Sequence, residues 1–442
     1  YENNGVICVG DPETFTITVN PLGQVEPVVS QELCAGDSTD EITFETTNEN
    51  GITTYTWTNN NPSIGLAASG PEDATATTIP SFVATNGTNT PITANISVTS
   101  FLTLNGFTCE GNTEDFTITV NPSPQVDFSE DDQFITSGES SLEVNLTSAV
   151  ENVTMSWTAA ADPGIQGLIN LSGTNTIPQE TLTLGNEIEE PQLVVYTVLV
   201  SGSISDCEGI PVDYTITVNP VAQIDPVLNQ EICEGDNLVV EFTSPVLGGE
   251  ISYLWTNDNI NIGLDSSGSG NLDFIAFNPL LESITANISV TPVFTNGDDS
   301  NQGDPINFTI TVNPEAQVDP VASQVLCVGE STDEIEFTTI NTDGTTTYAW
   351  TNDNPAIGLA ESGPEDATAT TIPSFVVTND TTNALVATIE VTPTYTNNGF
   401  GCVGDPETFT ITVNPLGQVN PVDSQEICPG ESTEAIVFET TN

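Results

Sequence analysis

The sequence predicts an all-β chain of tandem β-sandwich domains strung into an elongated rod, and three observations carry that expectation. The string Thr-Ile-Thr-Val-Asn-Pro occurs five times, at Thr16–Pro21, Thr117–Pro122, Thr215–Pro220, Thr309–Pro314 and Thr410–Pro415. Apolar and polar residues alternate along and around it, with the period of a strand rather than a helix. Each interval between successive copies holds one tryptophan, Trp57, Trp157, Trp255 or Trp350.

The closing prolines of successive copies lie 94 to 101 residues apart, the size of one small sandwich and well below the size at which a single core stops growing. The expected organisation is the closing strand of a preceding repeat at 1–21, four repeats at 22–122, 123–220, 221–314 and 315–415, and the opening of a further repeat at 416–442. A longer period overlies the short one: Cys8 to Phe15 returns as Cys402 to Phe409, and Gln31-Glu32-Leu33-Cys34 returns as Gln425-Glu426-Ile427-Cys428, both displaced by 394 residues. Four repeats thus make one block, which points to growth of the parent sequence by block duplication.

Within a repeat, Phe116, Ile118 and Val120 alternate with Thr117 and Thr119, and Phe308, Ile310 and Val312 with Thr309 and Thr311. Threonine-rich alternation of this kind suits half-buried antiparallel strands. Each tryptophan follows Tyr55, Met155, Tyr253 or Tyr348 by two residues, so both side chains share one face of a strand. A single large aromatic at a constant place is expected to anchor an immunoglobulin-like core, rather than to stack on a sugar in solvent. Linkers such as Pro21-Leu22-Gly23-Gln24-Val25-Glu26-Pro27 carry paired prolines that keep the backbone extended.

The charge is one-sided: 63 Asp and Glu, no Lys, Arg or His, and a formal net charge of −63. Without cationic side chains the chain cannot release counterions from phosphates, which excludes nucleic acid as a partner. An anionic membrane surface is disfavoured for the same reason, and no apolar stretch reaches the length of a membrane-spanning helix. Stability must come from cores, backbone ladders and disulfides. Trypsin-like proteases find no site.

Eight cysteines point to an oxidising compartment. The expected structural disulfides are Cys34–Cys109 and Cys327–Cys402, each spanning 75 residues within one repeat, because parallel first and last strands would bring their starting ends together. The alternative joins cysteines 26 residues apart across a linker, as Cys8–Cys34, Cys207–Cys233 and Cys402–Cys428. The intradomain scheme leaves Cys207 and Cys233 without partners in their own repeats, and their state stays open. No Cys-x-x-Cys occurs, so zinc has no support.

Catalytic residues are not expected, because His, Lys and Arg, the usual base, Schiff-base donor and anion clamp, are absent. The acidic clusters Glu72-Asp73, Glu130-Asp131-Asp132, Asp298-Asp299 and Glu365-Asp366 fall in turn-like segments. Calcium is the one cofactor with any claim, through segments such as Asp11-Pro12-Glu13 and Asp405-Pro406-Glu407, yet the EF-hand pattern is missing and no metal ligand is assigned.

The stretch Tyr348-Ala349-Trp350-Thr351-Asn352-Asp353-Asn354-Pro355, with Ile357-Gly358-Leu359, Ser362-Gly363, Ile372-Pro373-Ser374-Phe375, Gly401-Cys402 and Phe409 to Pro415, resembles the PKD-like, immunoglobulin-like repeats of very large secreted Bacteroidota proteins. The first repeat matches nearly as well through Tyr55 to Asn61, and the second, which keeps Trp157 and the final strand, is the most divergent. The resemblance implies the shaft of a cell-surface adhesin or gliding-motility filament, exported by a type IX route, that extends a distal adhesive region from the cell. Its implied partners are neighbouring repeats of the same chain, further copies assembled into a fibre, or an extracellular glycan or surface. The alternative functions are a glycan- or ligand-binding repeat module and a subunit of a multichain extracellular fibre. The chain departs from that family in lacking every basic residue.

Overall fold

The computed structural model describes residues 1–70, 77–202, 207–363 and 370–441. The chain forms two compact units, Tyr1–Pro220 and Val221–Asn442. Among the described residues no α-helix forms, and strands are interrupted only by turns and three single-turn 3-10 helices. The acidic pairs Glu72-Asp73 and Glu365-Asp366 lie outside the described residues.

Among the described residues the first unit holds two hydrophobic cores, and the second holds two large cores and a small cluster of Ala222, Val246 and Phe294. In the first unit, Gln31–Cys34, Phe107–Asn121, Ile92–Leu104 and Ile52–Asn59 form a sheet in that order, with Ile42–Thr43 and Thr78–Ile79 paired as a small second sheet. Trp57, Ile96, Ile118 and Val120 of the larger sheet pack with Ile42 and Ile79 of the smaller one. The second core belongs to a five-stranded sheet ordered Gln133–Thr136, Val212–Asn219, Gln192–Gly202, Val153–Ala161 and Ser172–Thr174, and gathers Trp157, Tyr196 and Tyr214.

The second unit repeats the plan. Gln230–Cys233, Ile306–Asn313, Ile284–Asn296 and Glu250–Asn257 are successive neighbours in one sheet, and Gln324–Cys327, Glu407–Asn414, Leu385–Asn397 and Thr345–Asn352 in another. In all four sheets the first strand runs parallel to the last, whereas the longer strands pair antiparallel.

Period-two patterning explains the packing. Phe116, Ile118 and Val120 are buried, while the threonines between them meet cross-strand partners on the outer face. Thr93 and Thr119 hydroxyls lie 2.9 Å apart, and Thr285 and Thr311 hydroxyls 3.0 Å apart; such pairs add modest stability to a sheet. All four tryptophans are buried. A glycine lies flat against each indole, and a Cβ on Gly363 would stand 2.4 Å from Trp350 Nε1, so that position admits no side chain.

Buried asparagines lock the turn that follows each of three tryptophan strands. Asn59 Nδ2 donates to Leu66 O at 2.9 Å while its Oδ1 accepts from Asn61 N at 2.9 Å. Asn257 and Asn352 make the same bonds to Leu264 and Leu359 and to Asn259 and Asn354. A neutral amide supplies both a donor and an acceptor, which is what a buried turn needs in a protein without side-chain cations.

The two ends of the chain differ from expectation. Thr16–Pro21 has the letters of a closing strand but forms none, and Phe15, Ile17 and Val19 are exposed. A strand is stabilised by its ladder partners and the face it buries, and this segment pairs with no strand among the described residues. Residues 416–441 likewise form no strand, yet local contacts of the repeat persist there. Gln425 Oε1 accepts from Glu434 N at 2.9 Å, as Gln31 Oε1 accepts from Asp40 N at 3.0 Å.

Two outcomes are expected. Trp350→Ala should remove about 3–5 kcal/mol from its own core; circular dichroism in urea should show an early partial transition while the fluorescence of the other three tryptophans keeps its midpoint. Burial, with a smaller contribution from Glu180, pushes the Tyr196 phenol up to about 12. The fold therefore favours the neutral phenol, and stability holds below pH ~10 and falls as pH rises toward ~12. A thermal midpoint flat across that window, tracked alongside tyrosinate absorbance, would contradict this.

Candidate functional site at the repeat junctions

The site assembles from the ends of strands. The first strand of a repeat pairs with only the far end of its last strand: Gln31 lies opposite Ile118 and Cys34 opposite Asn121. That register places Cys34 at the tip of the repeat, beside the linker to the next. Cys34 bonds to Cys207, with Cα atoms 5.6 Å apart. Cys233, opposite Asn313, bonds to Cys402 with the same Cα separation. Both disulfides join one core to the next within a unit.

This overturns the expected pairing of Cys34 with Cys109 and of Cys327 with Cys402. The first and last strands do run parallel, but their starting ends do not meet. Cys109 lies near the start of Phe107–Asn121 and Cys34 faces its end, a separation of roughly 40 Å at about 3.3 Å per residue. Cys109 and Cys327 carry free thiols. The linker-spanning scheme is not adopted either, since Cys8 and Cys428 are unbonded and exposed. Cys207 and Cys233, left open by the sequence, are both bonded, though not to each other. Both bonded pairs span similar separations, 173 and 169 residues, a repeat and three quarters.

Polar contacts reinforce the Cys233–Cys402 junction. Ser283 Oγ donates to Asn313 Oδ1 at 2.5 Å, Asn397 Nδ2 donates to Ser283 Oγ at 2.8 Å, and Thr342 N donates to Leu281 O at 2.9 Å. The fully buried Tyr395 donates its hydroxyl to Thr342 O at 3.1 Å and sits 3.1 Å from Ser283 Oγ. At the Cys34–Cys207 junction a cavity of about 120 Å³ lies between Asn121 and Pro122 on one side and Asn152, Gly202 and Cys207 on the other. Asn121 is buried with its Oδ1 unpartnered.

A backbone approach recurs in every repeat. A Cβ on Gly404 would stand 1.8 Å from Ala316 O, and one on Gly303 1.8 Å from Ala222 O. Glycine is therefore required where the strand leading out of the hairpin crosses the start of the repeat.

No group of three or more acidic or cysteine side chains is arranged to hold a metal ion among the described residues; Asp405 is exposed and Glu407 half-buried. Glu130, Asp131 and Asp132 are exposed, and Asp132 Oδ1 accepts from Thr215 N at 2.7 Å, a strand contact. No helix among the described residues is long and apolar enough to cross a membrane.

The profile of the PKD-like domain family matches residues 134–222 and 324–417, the second and fourth repeats. Over those two stretches the chain is similar to PKD-like domains. Its fold is a tandem array of immunoglobulin-like, PKD-like β-sandwiches, a class of repeat that is generally non-catalytic. Similar solved structures include Sidekick-1 immunoglobulin domains 1–5 (11% identity over 89% of this chain and 81% of that one, TM-score 0.29). Others are the ICAM-5 D1–D4 ectodomain fragment (11%, 89% and 100%, TM-score 0.32) and the three N-terminal domains of the bacteriophage RB49 Highly Immunogenic Outer Capsid protein (14%, 66% and 99%, TM-score 0.32). No curated protein sequence matches the chain.

Cleavage after glutamate separates all eight cysteines into different peptides, so a non-reducing digest should release the Cys34 peptide linked to that of Cys207, and the Cys233 peptide linked to that of Cys402. Recovery of Cys34 linked to Cys109 would refute the pairing.

Proposed function

We propose that the chain is a load-bearing shaft segment of a large secreted, cell-surface protein of the Bacteroidota adhesin or gliding-motility type, exported by a type IX route and extending a distal adhesive region from the cell. The observation that carries this reading is the disulfide joining each of two cores to its successor. Such a bond carries tension from one repeat to the next without passing through the intervening fold. The parallel first and last strands support it further, because once the disulfides are reduced, pulling on the two ends of a repeat loads that ladder in shear. The disulfides favour an oxidising, extracellular setting. The single sign of charge keeps such arrays from collapsing on one another. With all four tryptophans buried, the aromatic platforms of a glycan-binding module are not where the sequence offers them.

Stretching single molecules by their ends tests the proposal. With disulfides intact, the loops of 173 and 169 residues stay closed. Reduction should add roughly 600 Å of contour per loop at about 3.5 Å per residue. Sandwiches that yield at forces no greater than those that straighten a disordered chain would sink the load-bearing reading, as would saturable glycan binding by the oxidised array.

A further inference from the structure

Strand register sorts the cysteines into two kinds of position. The first kind ends the first strand of a repeat: Cys34 faces Asn121, Cys233 faces Asn313 and Cys327 faces Asn414. Each is followed by a turn with glycine at positive φ, Gly36 at 97°, Gly235 at 86° and Gly329 at 87°. The second kind lies just beyond the tip of the long hairpin: Cys109 faces Leu102 and Cys402 faces Tyr395. At the matching place Gly202 N donates to Cys207 O at 2.8 Å.

Both disulfides obey one rule, joining a first-kind cysteine to the second-kind cysteine of the following repeat. Cys327 is a first-kind cysteine, exposed and unbonded; Cys109 is a second-kind cysteine, half-buried and unbonded. An independent observation supports the rule. The first-kind position lacking sulfur is Thr136, facing Asn219, and the second-kind position lacking it is Asn301, facing Phe294. These belong to consecutive repeats and are the pair that the rule would couple, so sulfur is missing from both together.

We propose that Cys327 forms a third junction disulfide with the cysteine standing at the Cys109 position of the repeat that opens at Leu416. Leu416-Gly417-Gln418-Val419 reproduces Leu22-Gly23-Gln24-Val25, and Gln425-Glu426-Ile427-Cys428 reproduces Gln31-Glu32-Leu33-Cys34, so the repeat opening there is the first of the block again. Within one block, residues 22–415, the rule then pairs every cysteine. Formation proceeds by thiol–disulfide exchange with a small-molecule disulfide such as oxidised glutathione. The Cys327 thiolate attacks one of its sulfurs and expels a thiolate. The partner thiolate then attacks Cys327 Sγ and expels the second thiolate. Two electrons pass to the small disulfide, and two protons leave the cysteines. The pairing follows from register and does not require the array to bear load, so either proposal can fail alone.

Joining residues 1–415 of one copy to residues 22–442 of another, at the natural period of 394, recreates the junction. After refolding in a glutathione buffer, the digest should contain the 316–330 peptide of the first copy linked to the 73–110 peptide of the second. Cys109→Ser in the second copy should abolish that link and leave Cys327 reactive toward a thiol reagent; the same change in the first copy should leave the link intact. Both positions are unbonded in the chain described above, so neither substitution removes an existing contact between repeats. Free thiols at both sites after refolding, a link that survives the change in the second copy, or covalent dimers in place of an internal link would overturn the proposal.

Discussion

The structure depends on the parallel ladder between the first strand of each repeat and the far end of its last strand. Four residues pair in each, and the fourth, opposite the asparagine of Asn-Pro, stands where one repeat gives way to the next. Were the register shifted toward the start of the last strand, the cysteine would sit inside its own repeat. The ladder thus closes each sandwich and aims its crosslinking residue outward.

A chain with no cationic side chain must satisfy its buried polar groups differently from most proteins. Here amides and hydroxyls take the role. Asn278 and Asn379 donate to Val312 O and Val413 O at 2.9 and 2.8 Å, beside the same ladder. Threonine pairs line the outer face, and the glutamine clamp closes the loop after the first strand. Neutral hydrogen bonds of this kind are little affected by salt, whereas surface ion pairs are screened. Most of the charge is left to the solvent side, and the buried Glu180 accepts from the backbone and side-chain amides of Asn170.

The repeat period, the strand character and the identity of the core aromatics were legible because each has a local signature: a recurring string, period-two patterning, one tryptophan per interval. The asparagine clamps were less visible, since Trp-Thr-Asn reads equally as the end of a strand. The disulfide scheme was not readable from spacing, because the relevant distance is measured along a ladder whose register depends on which half of Phe107–Asn121 the strand Gln31–Cys34 finds. The fate of Thr16–Pro21 was also invisible: the letters of Thr410–Pro415 form a strand there beside Leu385–Asn397 and none at the other end of the chain.

Alone, the sequence determined that this is an all-β chain of repeating sandwiches, acidic throughout and without the usual catalytic side chains, because composition and periodicity act through local backbone preference and burial. Only the tertiary structure decided which cysteines meet and which copies of one hexapeptide become strand, because both depend on partners far away in the chain.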